Sequence, residues 1–276
     1  MSANNNLSKV KPGKVILAGA GPGDPELITL KALRYLQIAD VVIADRLVSE
    51  DLLRQHTKAG AKVIYVGKQA GKNGSTSQEV INNLLVEHSE GSQLVVRLKG
   101  GDVTFFSNVL EELKTLVEHN IPYEIIPGVT AASGAAAYAG IPLTARGYAS
   151  SVRFLTFNRS IVWDEPYWKE LATTDDTLVF YMSMDVLDTM VERLLANGIS
   201  SDKCVAVIEQ ATTPSQSVHL FKLADFEDKI RGIQLTSPTL IIVGRVAALN
   251  KEFQWIPNDN SRISYFTPVS EVRNNN

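Results

Sequence analysis

The chain holds one cysteine, Cys204, among 276 residues. That excludes an intrachain disulfide framework and fits a reducing compartment. Its four histidines, His56, His88, His119 and His219, are scattered without ligand spacing, so no metal site is expected. Strong charge of either sign is also missing. A formal net charge of −3 leaves no electrostatic footprint for nucleic acid. The longest apolar run, 129–141, is mostly alanine and glycine and too short to span a bilayer. The first nine residues have no apolar core of the signal-peptide kind. We therefore expect a soluble, cytoplasmic protein with neither nucleic-acid nor membrane partner. What remains is ordinary globular composition, 45% hydrophobic and 21% charged, with a length suited to one large or two modest domains.

From Lys14 to Pro127, short β-branched runs alternate with amphipathic segments. Val15 to Ala18, Val41 to Ala44, Val63 to Val66, Leu94 to Leu98 and Tyr123 to Ile126 read as strands. Asp24 and Pro25 suit the N-cap and first position of a helix whose inward stripe is Leu27, Leu30, Leu33 and Leu36. Thr76 and Glu79 suggest a capping box before a helix carrying Val80, Ile81, Leu84 and Leu85, closed near Gly91. Strands separated by helical segments imply a parallel sheet covered on both faces.

After Pro127 the texture changes. The small-residue segment Thr130 to Ala139 suits very close packing, and five further strands are expected at 151–157, 177–181, 205–208, 217–221 and 239–243. A helix from Asp185 to Ala196 lies among them. The expected organisation is a flexible N-terminus (1–13), an α/β domain (14–142), a second α/β domain (143–250) and a polar tail (251–276).

Ligands of open α/β sheets bind beyond the carboxyl ends of the strands, and several chemically informative residues fall there. The strand 94–98 runs into Lys99-Gly100-Gly101-Asp102. The glycines permit close backbone approach and positive φ, and Asp102 brings an anion or serves as an N-cap. Gly19-Ala20-Gly21-Pro22-Gly23-Asp24 invites a dinucleotide reading but departs from G-x-G-x-x-G at its third glycine, where Asp24 stands. Pro22 removes a donor that a pyrophosphate would use, and Asp24 competes for the same amides. Asp45 suits either a ribose-binding acid or a proton acceptor, against a solvated turn acid paired with Arg46. Ser133 has no nucleophile elbow around it, so a hydrolase triad is not supported. Met182 closes a strand, as core filler or as the rim of an apolar pocket.

Taken together, these segments resemble the uroporphyrinogen-III C-methyltransferases of the tetrapyrrole methylase family. The likeness is carried by Ala18 to Pro25, Asp45-Arg46-Leu47-Val48, Val66-Gly67-Lys68, Arg97 to Asp102 and Ile126 to Gly134. It continues through Ala139 to Thr144, Val179 to Met182, Thr212-Thr213-Pro214 and Ser217-Val218. The resemblance implies a homodimeric two-domain α/β enzyme that binds S-adenosylmethionine in a cleft between its domains and methylates a tetrapyrrole. It implies donor contacts at Pro22, Gly100, Gly101, Asp102, Thr130, Ala131, Met182 and Ala211. Asp45 would act as proton acceptor and Lys68 as proton donor. The many carboxylates of such an acceptor call for cations, with Arg46, Lys68, Arg97, Lys99, Arg146 and Arg153 as candidates. The likeness breaks after Asp102. The family usually continues there with proline and a Gly-Arg-Gly-Gly run, whereas this chain reads Val103-Thr104-Phe105-Phe106-Ser107-Asn108-Val109-Leu110. Around the Leu-Thr motif, Ala145-Arg146-Gly147 replaces a family pattern richer in histidine and aspartate. The alternatives are a methylase of the same fold acting on another acceptor, such as a later precorrin, or a non-catalytic donor- or tetrapyrrole-binding protein. A dinucleotide-dependent oxidoreductase stands further off.

Overall fold

The computed structural model describes residues 13–67, 76–90, 93–259, 261 and 263–266. They divide into two units, one running to Val129 and the other from Thr130 to Tyr265. The helix at 131–138, which the sequence reading places at the end of the first domain, belongs with the second unit.

The first unit follows the order β1 (Lys14–Gly19), α1 (Leu30–Leu36), β2 (Val41–Asp45), α2 (Glu50–His56), β3 (Lys62–Val66), α3 (Gln78–Ser89), β4 (Leu94–Lys99), α4 (Val109–Glu118) and β5 (Tyr123–Ile126). Its five strands are all parallel, in the spatial order β3-β2-β4-β1-β5. Their carboxyl ends therefore share one edge, as the alternating pattern predicts. β1, β2 and β4 are almost continuously buried, as expected for strands covered on both faces. Side chains alternate in direction along each strand. Ile16, Ala18, Val42, Val96 and Leu98 face α1 and α2 on one side. Val15, Leu17, Val41, Ile43 and Val95 face α3 and α4 on the other.

Two local expectations change. Asp24 caps only a single 3-10 turn, Pro25–Leu27, accepting from the Glu26 amide at 2.8 Å. The chain then extends through Ile28 and restarts as α1 behind a Thr29 N-cap. That break shifts the helical phase, so Ala32 and Leu36 point inward while Leu30 is 72% exposed. Before α3 the cap is Ser77, accepting from the Val80 amide at 3.2 Å, one residue beyond the expected Thr76.

The second unit runs α5 (Ala131–Tyr138), β6 (Val152–Thr156), α6 (Glu165–Thr173), β7 (Thr177–Tyr181), α7 (Leu187–Ala196), β8 (Cys204–Glu209), β9 (Ser217–Lys222), α8 (Phe226–Ile230), β10 (Thr239–Gly244) and α9 (Asn250–Phe253). Its sheet has the order β6-β7-β10-β8-β9, with only β6 and β7 parallel. One face packs on α6, α7 and α8 through Trp168, Leu171, Met190, Leu194 and Phe226. The other carries α5, whose Ala132, Ala135 and Ala139 are completely buried against Val179, Ile208, Leu240 and Ile242. Side chains this small let the helix backbone approach the sheet closely, as the alanine run predicts. Cys204 opens β8 and is buried, and burial pushes its thiol pKa up. No helix among the described residues is long and apolar enough to cross a membrane.

At the β5 edge, Glu124 accepts from Lys14 at 2.7 Å and Tyr35 at 2.8 Å and pairs with Lys31. These partners, the Lys14 hydrogen bond foremost, hold its carboxyl down from 4.5 to about 2. A depressed carboxylate stabilises the fold above its unfolded pKa and ceases to do so as pH falls through the folded value. The stability difference between wild type and Glu124→Gln should therefore be full above about pH 4.5 and shrink toward pH 2. Urea midpoints measured across that range check this; a difference independent of pH would assign the effect to packing alone.

Candidate active site

Three turns at the carboxyl edge of the first sheet are in backbone contact. Gly21 and Gly101 exchange two hydrogen bonds, of 3.1 and 2.7 Å, and both have positive φ, +82° and +70°. A Cβ on Gly128 would lie 2.3 Å from the Gly101 oxygen, and one on Gly19 would lie 2.6 Å from it. No side chain fits either place. Asp102 ties the junction together. Its Oδ1 accepts from the Thr104 amide at 2.7 Å and hydroxyl at 2.6 Å, and its Oδ2 accepts from the Gly128 amide at 2.7 Å. Asp102 therefore joins the turn after β4 to the turn after β5, and does not cap α4, whose N-cap is Asn108. Pro22 and Gly100 lie half-buried at the same edge.

Asp45, at the end of β2, pairs with Arg97 rather than with its neighbour Arg46. The side-chain alternation explains why. Asp45 follows Ile43 at a spacing of two, and Ile43 stands opposite Arg97 in the β2–β4 register, so all three share the face covered by α4. Lys99 joins them, two residues beyond Arg97. Arg97 is 1% exposed and Lys99 3%, and between them lies Glu112 of α4, with no exposed surface. Glu112 Oε1 accepts from Lys99 Nζ at 2.7 Å and from Arg97 Nε at 3.2 Å. Arg97 also donates to the Ile43 and Leu98 carbonyls, both at 3.2 Å. Burial disfavours the guanidinium charge, but Asp45 and Glu112 outweigh it and raise the Arg97 pKa. For Lys99, burial first and Arg97 second lower the pKa. Asp45 remains the solvent-reaching member, 30% exposed, with one oxygen held and the other pointing to no hydrogen-bond partner among the described residues.

In the second unit, Tyr181 of β7 organises the start of α5. Its hydroxyl lies 2.7 Å from Thr130 Oγ1 and accepts from the Ala132 amide at 3.0 Å, a role the Thr130 N-cap does not fill with its own side chain. Met182 follows at φ +54° and is 59% exposed, so it is not core filler. Ala211 is buried in the cluster that holds α5. It stands between Gln210 and Thr212, which have positive φ of +45° and +67°. Strained backbone of this kind concentrates at functional sites. Here it marks the loops after β4, β7 and β8, where Phe106 and Asn108 (φ +51° and +54°) join these residues.

The expected cations separate, and Arg97 and Lys99 are not open to an acceptor at all, being buried against Asp45 and Glu112. Arg146 is exposed on the 144–150 turn, which with Asp175 and Arg245 lines a cavity of about 530 Å³. Arg153 is engaged by Asp176 and Glu170. Arg46 is half-buried, its Nε makes no hydrogen bond, and burial lowers its pKa. Lys68 lies outside the described residues. Sequence reasoning missed Glu112, Tyr181 and Gln210. Glu112 had left a signal: it occupies an inward position of α4, in phase with Val109, Leu113 and Leu116, where an apolar residue is expected.

Replacing Glu112 by Ala leaves two buried cations without their shared counter-charge and should cost about 3–5 kcal/mol of stability. A denaturant midpoint like that of wild type would show that water satisfies the pair instead.

Residues 14–227 match the family model of tetrapyrrole (corrin/porphyrin) methylases. The chain is 48% identical over 244 residues to a siroheme synthase of Acinetobacter baylyi, covering 88% of this chain and 53% of that one. To the S-adenosyl-L-methionine-dependent uroporphyrinogen III methyltransferase of Arabidopsis thaliana, a chloroplastic protein, it is 46% identical over 87% of this chain and 65% of that one. It spans about half the length of the siroheme synthases it matches. Among solved structures, native uroporphyrin III C-methyltransferase from Thermus thermophilus superposes with a TM-score of 0.71 at 34% identity, covering 86% of this chain and 100% of that one. Another structure of the Thermus thermophilus protein, complexed with S-adenyl homocysteine, gives a TM-score of 0.69 at 34% identity over 85% of this chain and 93% of that one. On the extent of these matches, and with the same α/β fold, the chain belongs to the tetrapyrrole methylases.

Proposed function

We propose that this chain transfers methyl groups from S-adenosylmethionine to carbons of uroporphyrinogen III, yielding precorrin-2 for sirohaem or cobalamin. The observation that carries this is the glycine junction clasped by Asp102, at the strand edge where an α/β sheet binds its ligand. The proposed donor contacts, Pro22, Gly100, Gly101, Asp102, Thr130, Ala131, Met182 and Ala211, include no cation. They suit an uncharged adenosine and a zwitterion better than a pyrophosphate.

A sulfonium methyl is already activated, so the protein's work is to align it with a nucleophilic carbon and to exclude water. Attack by an electron-rich pyrrole carbon leaves a cationic macrocycle that must lose a proton. Asp45 is the proposed acceptor, oriented by Arg97 through one oxygen, with the other left for the proton. Lys68 is the proposed proton donor. Arg146, beside the cavity on the second unit, is the first choice to pair with acceptor carboxylates, and Arg46 a second. Arg153 already carries two carboxylate partners and would have to surrender them. A homodimer in a reducing, cytoplasmic setting completes the reading, supported for the compartment by the single buried thiol.

One observation favours a second reading, a methylase of another acceptor. The Val103–Leu110 segment presents Phe105, Phe106 and Leu110 at 39, 40 and 62% exposure, apolar surface where the family usually has glycines and an arginine.

Calorimetry should show binding of S-adenosylhomocysteine, and Gly101→Val should abolish it through positive-φ strain and a filled turn. Unchanged affinity would remove this turn from the donor site. Asp45→Asn should cut turnover by about 10²–10⁴-fold while donor affinity holds. Full turnover would exclude the base role, and a fall in donor affinity first would make Asp45 a ribose ligand. Arg146→Ala should raise the Michaelis constant for the macrocycle and leave that for the donor unchanged. Tight donor binding without any methylation of uroporphyrinogen III would favour the second reading.

A further inference from the structure

Ala211 sits in a turn that is held partly by its own bonds, the Gln210 carbonyl accepting from the Thr213 amide at 3.2 Å and hydroxyl at 2.8 Å, and partly from outside. Both its neighbours are non-glycine residues in the left-handed region, a conformation that persists only where surrounding structure imposes it. Further restraint comes from far along the chain. The Gln210 side chain, in a residue 2% exposed, donates to the Ile263 carbonyl at 3.2 Å and accepts from the Tyr265 amide at 2.6 Å. Gln216 accepts from the Thr212 amide through its side chain at 2.8 Å, and its own carbonyl accepts from the Asp259 amide at 2.9 Å.

The same segment crosses another proposed donor-contacting element of the second unit. Asn250 donates to the Ala139 carbonyl at 2.7 Å, and Trp255 Nε1 donates to the Ala137 carbonyl at 2.9 Å, at the C-terminal end of α5. A Cβ on Gly140 would stand 2.1 Å from the Phe253 oxygen, so backbone passes directly over backbone there. Farther on, the Asn258 amide both accepts from and donates to the backbone of Val218, at 2.9 and 3.0 Å. It thereby completes the ladder of β9, the edge strand.

We propose that the described residues 250–259, 261 and 263–265, beyond the family-matched stretch, form a positioning strap for the methyl donor. The strap locks the 210–216 turn and α5 into the arrangement that presents Ala211, Thr130 and Ala131. This rests on the donor reading above. The strap touches no reacting atom; it acts by pre-organising the groups that do.

The test is a Trp255→Ala/Asn258→Ala variant of the full chain, titrated with S-adenosylhomocysteine by calorimetry and followed by thermal melting. Donor-product affinity should weaken by about tenfold, with a cooperative melt retained. The Michaelis constant for S-adenosylmethionine should rise in parallel while kcat stays near wild type. Affinity equal to wild type, whatever the melting temperature, would overturn the strap and make the segment a stabilising tail. Should the double variant not fold, Asn258→Ala alone decides, with about threefold weaker binding expected and unchanged binding overturning the proposal. A wild-type chain that binds no S-adenosylhomocysteine would overturn the donor reading itself, and the strap with it.

Discussion

Three backbone turns of the first unit meet at a place with no room for a side chain. The Gly128 amide and the Gly101 carbonyl approach so closely that a single methyl on Gly128 would collide at 2.3 Å. The carboxylate of Asp102 then spans from one turn to the next. The donor-binding role proposed for these turns rests on that contact. It sets where β1, β4 and β5 end relative to one another, and it leaves the chain after each strand free to bend around a ligand rather than around its own side chains. Asp102 thus works as a structural clasp, and its own oxygens already hold three hydrogen bonds.

The charge cluster beneath α4 is the second constraint, and desolvation decides its form. Taking Arg97 and Lys99 out of water is costly unless each finds a counter-charge. Glu112 meets that requirement from α4 and Asp45 from β2. Three of the four charges are sealed in the core, and only Asp45 reaches solvent. The arrangement fixes the orientation of a carboxylate through a guanidinium that has no rotational freedom left, since its other nitrogens are held by Glu112 and by two strand carbonyls. A general base gains from such orientation because proton transfer demands a defined approach.

In the second unit the balance shifts from charge to strain. Small side chains let α5 sink onto the sheet, and Tyr181 supplies the cap that Thr130 does not provide. The turns after β7 and β8 hold left-handed backbone at Met182, Gln210 and Thr212. Such conformations cost free energy locally; Thr212 is held by Gln216 within the turn, and the Gln210 side chain by residues some fifty positions later in the chain.

The ten strands, the parallel direction of the first five and the strand-end positions of Asp45, Gly101 and Asp102 were legible in the sequence, whereas the spatial order of the strands was not. Apolar runs of four to six residues, bounded by glycine or aspartate, admit few other readings, and strand-end placement follows from them. The close packing of α5 was legible for the same reason, since Ala132, Ala135 and Ala139 can serve little else. Which partner each side chain takes was not legible. Asp45 stands next to Arg46 in sequence, yet it pairs with Arg97, because alternation along two adjacent strands puts those two on one face. The α1 stripe held at Leu36 but not at Leu30, which a two-residue extension at Ile28 and Thr29 turned to solvent. Glu112, Tyr181 and Gln210 emerged only with the fold. Their roles depend on hydrogen bonds and ion pairs across 13 to 55 residues, and local periodicity carries no information over such separations. The sequence alone determined the strands, their buried faces and the edge where chemistry gathers. Tertiary packing decided which charges share a face and which strained turns are held, since both are settled by neighbours that only folding supplies.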